Sequence, residues 1–108
     1  MEILVVGLSH HTASIELRER LSIPEEDLGK PLDMLGDSAD LVERMLLSTC
    51  NRVEAYAVTE GHVETAVEAI IDCLAAYRNV HRSEFADKLY THVAADAVRH
   101  VFRVTSSL

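Results

Sequence analysis

Cys50 lies in the run Leu47-Ser48-Thr49-Cys50-Asn51-Arg52-Val53-Glu54. A thiol is the strongest ordinary nucleophile, but with a free pKa near about 8.5 only about 3% of it is thiolate at neutral pH, so neighbouring cations or dipoles decide its reactivity. Arg52, two residues on, is such a cation, and Thr49 and Asn51 flank the cysteine with hydrogen-bonding side chains. The arginine can also grip a carboxylate through paired N–H donors, which suits an acidic substrate better than lysine does. Each residue has a plainer reading. Cys50 can be a small packing residue, and Arg52 can be a surface cation paired with Glu54 or Glu43. Cys73 falls on the edge of an apolar helical stripe and reads as packing.

The segment Gly7-Leu8-Ser9-His10-His11-Thr12-Ala13 is a polar turn after an apolar run. Such a turn can carry ligand contacts, although capping of the next helix explains Ser9 or Thr12 equally well. His100 sits between Arg99 and Val101, and with Arg103 it reads as a solvated polar face turned away from Val98 and Phe102. Arg18 and Arg20, interleaved with Glu16 and Glu19, also read as a solvated helix face. The six histidines and two cysteines lack the spacing of a zinc site or a disulfide framework, so no metal is expected. The four glycines make no glycine-rich phosphate loop.

These groups need rigid elements to hold them. Ile3 to Leu8 reads as a buried strand that stops at a turn. Ile15 to Leu21 reads as a short helix. A second helix follows Ser22, with Pro24 in its first turn, Leu28, Leu32 and Leu35 on one face, and Pro31 able to shorten or kink it before a Gly36-Asp37-Ser38 loop. Arg44 to Thr49 and Val53 to Thr59 read as two strands joined at Cys50-Asn51-Arg52, the second alternating Val53, Ala55, Ala57 and Thr59 against Glu54, Tyr56 and Val58. Val63, Val67, Ile70, Leu74 and Tyr77 form a helical stripe. Leu89 to Val93 is a last strand, and Ala94 to Val104 a last helix with Val98, Val101, Phe102 and Thr105 inward. This order predicts an α+β fold: the ferredoxin-like split β-α-β with a four-stranded antiparallel sheet, helices on one face, and an extra C-terminal helix.

At 108 residues and 48% hydrophobic composition, the chain is long enough to bury a core as one domain, residues 1–108. Its formal net charge of -8 repels polyanions and excludes a general nucleic-acid binder. No apolar run approaches the roughly 18 residues of a membrane span and no basic region opens the chain, so a cytoplasmic protein is expected. Val104 to Leu108 carries no helix-ending signal, which suggests a piece of a longer protein.

Taken in order, Gly7 to Ala13, Glu16-Leu17-Arg18-Glu19-Arg20-Leu21, Leu47 to Glu54 and Ala97-Val98-Arg99-His100-Val101-Phe102-Arg103-Val104 resemble the N-terminal domain of the glutamyl-tRNA reductase family. The Ser-Thr-Cys-Asn-Arg-Val-Glu segment is the most specific of the four. The resemblance implies the first committed step of tetrapyrrole synthesis, the NADPH-dependent reduction of tRNA-bound glutamate to glutamate-1-semialdehyde. Cys50 matches the family's nucleophile, which forms a thioester, and His100 matches a histidine that the family places near it. Arg52 matches the glutamate-recognising arginine, with Thr49 and Asn51 beside it, and Ser9 and His10 match the first motif in the same pocket. The resemblance further implies that NADPH binds, and dimers form, through domains outside these residues, so that this piece completes only the acyl-transfer half. Expected partners are the acceptor end of glutamyl-tRNA, a second copy of the full-length chain, and the aminomutase that takes the semialdehyde. One departure is Ser107, which stands where the family usually has glycine.

Two other classes compete with this reading. One is a ferredoxin-like module that senses a small ligand without chemistry. The other is an RNA-binding sheet, which would need Tyr56 and Tyr90 exposed to stack bases.

Overall fold

A computed structural model describes residues 1–37 and 40–107, without the side chain of Ser107; the expected loop residue Ser38 and the glycine-to-serine departure at Ser107 therefore lie outside the described groups. Four strands form one sheet: β1 (Glu2–Ser9), β2 (Leu41–Ser48), β3 (Arg52–Thr59) and β4 (Tyr90–Val93). The order across the sheet is β2-β3-β1-β4, and every neighbouring pair is antiparallel. This is the predicted split β-α-β arrangement. The apolar run Leu4-Val5-Val6 follows from the topology, because β1 is a central strand covered on both faces.

Helices α1 (Ile15–Leu21), α2 (Gly29–Gly36) and α3 (Val63–Arg78) cover one face. Leu4, Val6 and Leu8 of β1 and Val53, Ala55 and Ala57 of β3 meet Leu21, Leu35, Ile70, Leu74 and the fully buried Phe85 there. The Ser14 hydroxyl accepts from the Leu17 N–H at 3.2 Å and caps α1, so neither Ser9 nor Thr12 is needed as the cap. At the end of α3, Asn79 takes the left-handed conformation at φ 52°, a C-terminal position that asparagine tolerates well. The expected second helix is split into a single 3-10 turn, Glu25–Asp27, and α2. Pro24 precedes the turn, and Pro31 falls in the first turn of α2, where its missing N–H has no intrahelical partner to lose.

The last helix, α4 (Ala95–Ser107), packs on the opposite face of the sheet, where Ala97 and Val101 meet Val5, Tyr56, Ile3 and Leu47. Of the residues expected inward, Val101 packs on the sheet but the others do not. Val98 is 43% and Phe102 68% exposed, Thr105 is exposed, and Ala97, His100 and Val104 are buried instead. The reason is that the sheet presents Glu54 and two tyrosines to this helix, so the side that fits it carries a histidine and small or branched residues. β2 also starts three residues earlier than expected, at Leu41, with a register shift between Leu41 and Glu43.

Gly7 links this packing to the polar face. It pairs across the sheet with Glu54 on one side and Tyr90 on the other. A Cβ added there would lie 2.5 Å from the Val53 carbonyl oxygen, 2.7 Å from Glu54 Cγ and 2.9 Å from Glu54 Cα. Two of these are backbone atoms that cannot swing aside, so strands β1 and β3 must part. Gly7→Ala is therefore expected to destabilise the fold by about 1–3 kcal/mol, read as a lower denaturation midpoint at unchanged m. An unchanged midpoint would show that the two strands have slack at this position.

Candidate functional site

Thr49 and Arg52 close the β2–β3 hairpin, the Thr49 N–H donating to the Arg52 carbonyl at 2.8 Å. That leaves Cys50 and Asn51 at the tip. The Asn51 N–H donates to Thr49 Oγ1 at 3.2 Å, and the His10 N–H donates to the Asn51 carbonyl at 2.8 Å, so the tip is tied to the turn after β1. Arg18 ties it from the other side, donating from a terminal nitrogen to the Cys50 carbonyl at 3.3 Å. This corrects the reading of Arg18 as a solvated helix residue, since its Nε is buried as well. The Cys50 side chain remains exposed. Cys73 is the contrasting case: it is buried in the apolar core, donates to the Pro31 carbonyl at 3.6 Å, and burial pushes its thiol pKa up.

Alternation along β3 turns Arg52, Glu54 and Tyr56 toward α4, and there Glu54 becomes a hub. Its carboxylate is fully buried. Tyr56 Oη donates to Oε1 at 2.5 Å, Tyr90 Oη donates to Oε2 at 2.5 Å, and His100 Nε2 contacts the same Oε2. The Arg52 guanidinium lies 3.6 Å from Oε2 and is 13% exposed. The plainer reading of Arg52, a partner for Glu54, thus holds in part, though the pair is sheltered and not on the surface. His100 is 7% exposed, which overturns its reading as a solvated side chain; the driving force is this carboxylate. Tyr56 and Tyr90 are committed to the same hub beneath α4, so they do not form the exposed base-stacking platform that an RNA-binding sheet requires.

Burial by itself raises the Glu54 pKa, but hydrogen bonds from Tyr56, Tyr90 and His100 and the charge of His100 together outweigh it and leave the carboxyl below its ordinary value of 4.5. Burial and the neighbouring carboxylate push both tyrosines well above their ordinary range. Burial, then His100 and Arg103, hold His92 below its ordinary value.

Two clefts flank the hairpin. One, of about 390 Å³, lies between α1 and the hairpin tip and includes Arg18, Ser22, Ser48, Thr49 and Cys50 on its wall. The other, of about 540 Å³, is lined by Ser9, His10, His11, Thr12, Arg52, Tyr90, His92, His100, Arg103 and Val104. Ser9, His10, Arg52 and His100 thus come together as the motifs suggested, whereas Cys50 and Thr49 open onto the neighbouring cleft and Asn51 lies exposed between. The second cleft concentrates two arginines and four histidines in a chain of net charge -8, which favours an anionic group there. The Ser9–Thr12 turn supports its rim: Ser9 Oγ accepts from the His11 N–H at 3.2 Å and Thr12 Oγ1 accepts from the Ser9 N–H at 3.1 Å. Among the described residues no group of three or more His, Cys, Asp or Glu can hold a metal ion, and no helix is long and apolar enough to cross a membrane.

The family model for the glutamyl-tRNAGlu reductase N-terminal domain matches residues 6–108. The chain belongs to this family. It is 44% identical over its whole length to glutamyl-tRNA reductase of Citrifermentans bemidjiense and 40% identical to that of Synechococcus sp., covering 25% of each. The solved glutamyl-tRNA reductase from Methanopyrus kandleri matches 96% of the chain and 22% of its own length, with a TM-score of 0.65 and 28% identity. The chain therefore spans about a quarter of the length of the curated relatives it matches. Within this reductase domain, Glu54, Tyr56, Tyr90, His92 and Arg18 are not among the site residues expected from the sequence. The signal for Glu54 was available: it is an acidic residue on the non-core side of a central strand, which must find partners wherever that side is covered.

The Glu54 hub makes a pH dependence. The unfolded chain binds the Glu54 proton at higher pH than the folded chain does, so the hub's contribution is fully present above the ordinary carboxylate range. It is lost as pH falls through the lowered folded value. The unfolding free-energy difference between wild type and Glu54→Gln is expected to shrink steadily from pH 6 to pH 3 in denaturant titrations. A difference constant over that range would mean that Glu54 is not the ionised member of the network.

Proposed function

We propose that this chain carries the acyl-transfer half of glutamyl-tRNA reduction, with Cys50 as nucleophile and the Arg52 cleft as the seat of the glutamyl group. The observation that carries this reading is an exposed thiol on a hairpin tip fixed from two sides, two residues from an arginine that walls a cationic cleft. In glutamyl-tRNA the α-carboxyl is esterified, so the free anion is the γ-carboxylate. Arg52 is its natural anchor, because a sheltered guanidinium gives charge-assisted donors that water screens poorly. The Cys50 thiolate then attacks the ester carbonyl; a C–S bond forms, the C–O bond to the ribose breaks, and the leaving alkoxide takes a proton. The resulting thioester accepts hydride more readily than the ester, because sulfur donates less into the carbonyl, and one hard reduction becomes two easier steps.

The nicotinamide site is read as lying outside these residues. Gly7, Gly29, Gly36 and Gly61 are dispersed over the fold, and no glycine-rich loop opens a helix to cradle a dinucleotide pyrophosphate. We therefore assign NADPH, the hydride step, homodimerisation and hand-over of the semialdehyde to its aminomutase to the whole reductase, acting in the cytoplasm on the acceptor end of its tRNA. Thr49 and Asn51 support the nucleophile by holding the hairpin tip, and Ser9 and His10 line the acyl cleft.

Mixing the chain with glutamyl-tRNA and quenching in acid is expected to give, by intact-mass spectrometry, a glutamyl adduct on the wild type and none on Cys50→Ser. An adduct that persists in Cys50→Ser would move the nucleophile elsewhere. If neither protein forms one while the wild type still reacts with a thiol reagent, the assignment of acyl transfer to this chain alone is wrong.

A further inference from the structure

Cys50 opens onto a different cleft from the one that Arg52 walls. At about 390 Å³, it falls within the range of small-molecule sites, roughly 300–1,000 Å³. One wall is a single face of α1 and its cap: Ile15, Arg18, Glu19 and Ser22 recur at helical spacing. The facing wall is the end of β2 and the hairpin tip, with Ser48, Thr49 and Cys50. Arg18 joins the two walls by donating to the Cys50 carbonyl at 3.3 Å.

The two clefts differ in chemistry. Two arginines and four histidines line the Arg52 cleft, which favours an anion. The α1 cleft carries one cation and one anion, Arg18 and Glu19, which offset each other, so it selects no net charge. It offers apolar surface instead, since Ile15 is 61% exposed and Pro24 is exposed beside it on the same wall. It also offers hydrogen-bond donors. Ser48 Oγ accepts from the Ile23 N–H at 2.9 Å and Thr49 Oγ1 accepts from the Asn51 N–H at 3.2 Å, and no acceptor among the described residues takes the hydrogen of either hydroxyl. Apolar surface, balanced charge, free hydroxyl donors and a carboxylate acceptor suit an uncharged group with a flat apolar part and several hydroxyls. A nucleoside is such a group.

The connectivity of the ester points the same way. Its carbonyl carbon bears the acyl chain on one side and the ribose oxygen on the other. A thiol at a tip between two clefts meets that carbon when the acyl chain runs into one cleft and the ribose into the other. We propose that the cleft between α1 and the hairpin tip seats the terminal adenosine of the aminoacylated tRNA, the leaving group of the acyl transfer. Ile15 and Pro24 pack on the base, and the Ser48 and Thr49 hydroxyls donate to ribose oxygens. The inference rests on reading the Arg52 cleft as the glutamyl seat.

Adenosine and glutarate serve as probes, one for each cleft, titrated separately into the 15N-labelled chain with backbone amide shifts as the readout. Adenosine is expected to move Ile15, Arg18, Thr49 and Cys50 and to leave His11 and His92 in place, and glutarate to do the reverse. Ile15→Ala, a change at an exposed position, is expected to weaken adenosine about fivefold at unchanged glutarate affinity and unchanged thermal midpoint. Arg52→Ala should weaken glutarate alone. Adenosine shifts that are absent or fall outside the α1 cleft, or an adenosine affinity indifferent to Ile15→Ala, would overturn the nucleoside site whatever glutarate does. Glutarate shifts that miss the Arg52 cleft, beside adenosine shifts in the α1 cleft, would overturn the glutamyl seat and leave the nucleoside site standing.

Discussion

The polar half of the molecule is organised around one buried carboxylate. Removing Glu54 from water costs several kcal/mol unless its oxygens are paired, and the fold answers with donors from three separate elements: Tyr56 of β3, Tyr90 of β4 and His100 of α4. Each donor satisfies the carboxylate only if its element is correctly seated. The hub therefore acts as a registration point that holds β4 beside β1 and lays α4 across the sheet. The cleft walls are a by-product of that requirement, because the groups that reach Glu54 also line the space above it.

The two faces of the sheet consequently follow different rules. Toward α1, α2 and α3 the strands present Leu4, Val6, Leu8, Val53, Ala55 and Ala57 to an apolar core, where close packing supplies stability and tolerates no unpaired polar atom. Toward α4 the apolar contact shrinks to a small cluster around Val5, Tyr56 and Ala97, and geometry passes to directional hydrogen bonds. Directional contacts suit a binding surface, since they fix orientation more narrowly than apolar contact does. Gly7 is where the two regimes meet, its missing side chain making room for the Glu54 stem against β1.

Most of the fold was legible because it rests on local patterns. The strand order follows from Ile3–Leu8, the Cys50-Asn51 connection and the Val63–Tyr77 stripe, each a period or a turn signal readable within a short window. The exceptions have a common cause. Val98 and Phe102 read as inward on hydrophobicity alone, while the inward residues of α4 include a histidine bonded to a strand carboxylate 46 positions earlier. Pattern reading cannot see a partner that far along the chain. The same applies at the site: Arg52, Ser9, His10 and His100 were found through motifs, yet the residue that unites Arg52 with His100 is Glu54, which looked like one more surface acid on an alternating strand.

Cys50 obeys a different constraint from the cleft residues. The thiol proposed as nucleophile would have to meet a carbonyl on a bulky polynucleotide, and at the hairpin tip it is exposed while its backbone is held by Arg18 and, through Asn51, by His10. The net charge of -8 disfavours broad contact with the tRNA body, and the cationic residues gathered beside the tip attract only a small anion locally. On the proposed reading, an acyl group anchored through Arg52 must reach from that cleft to a thiol that opens onto the neighbouring one, with the body of the polynucleotide outside both. On that reading, recognition of the amino acid falls to the Arg52 cleft, and the acidic charge of the chain offers the tRNA body little to bind.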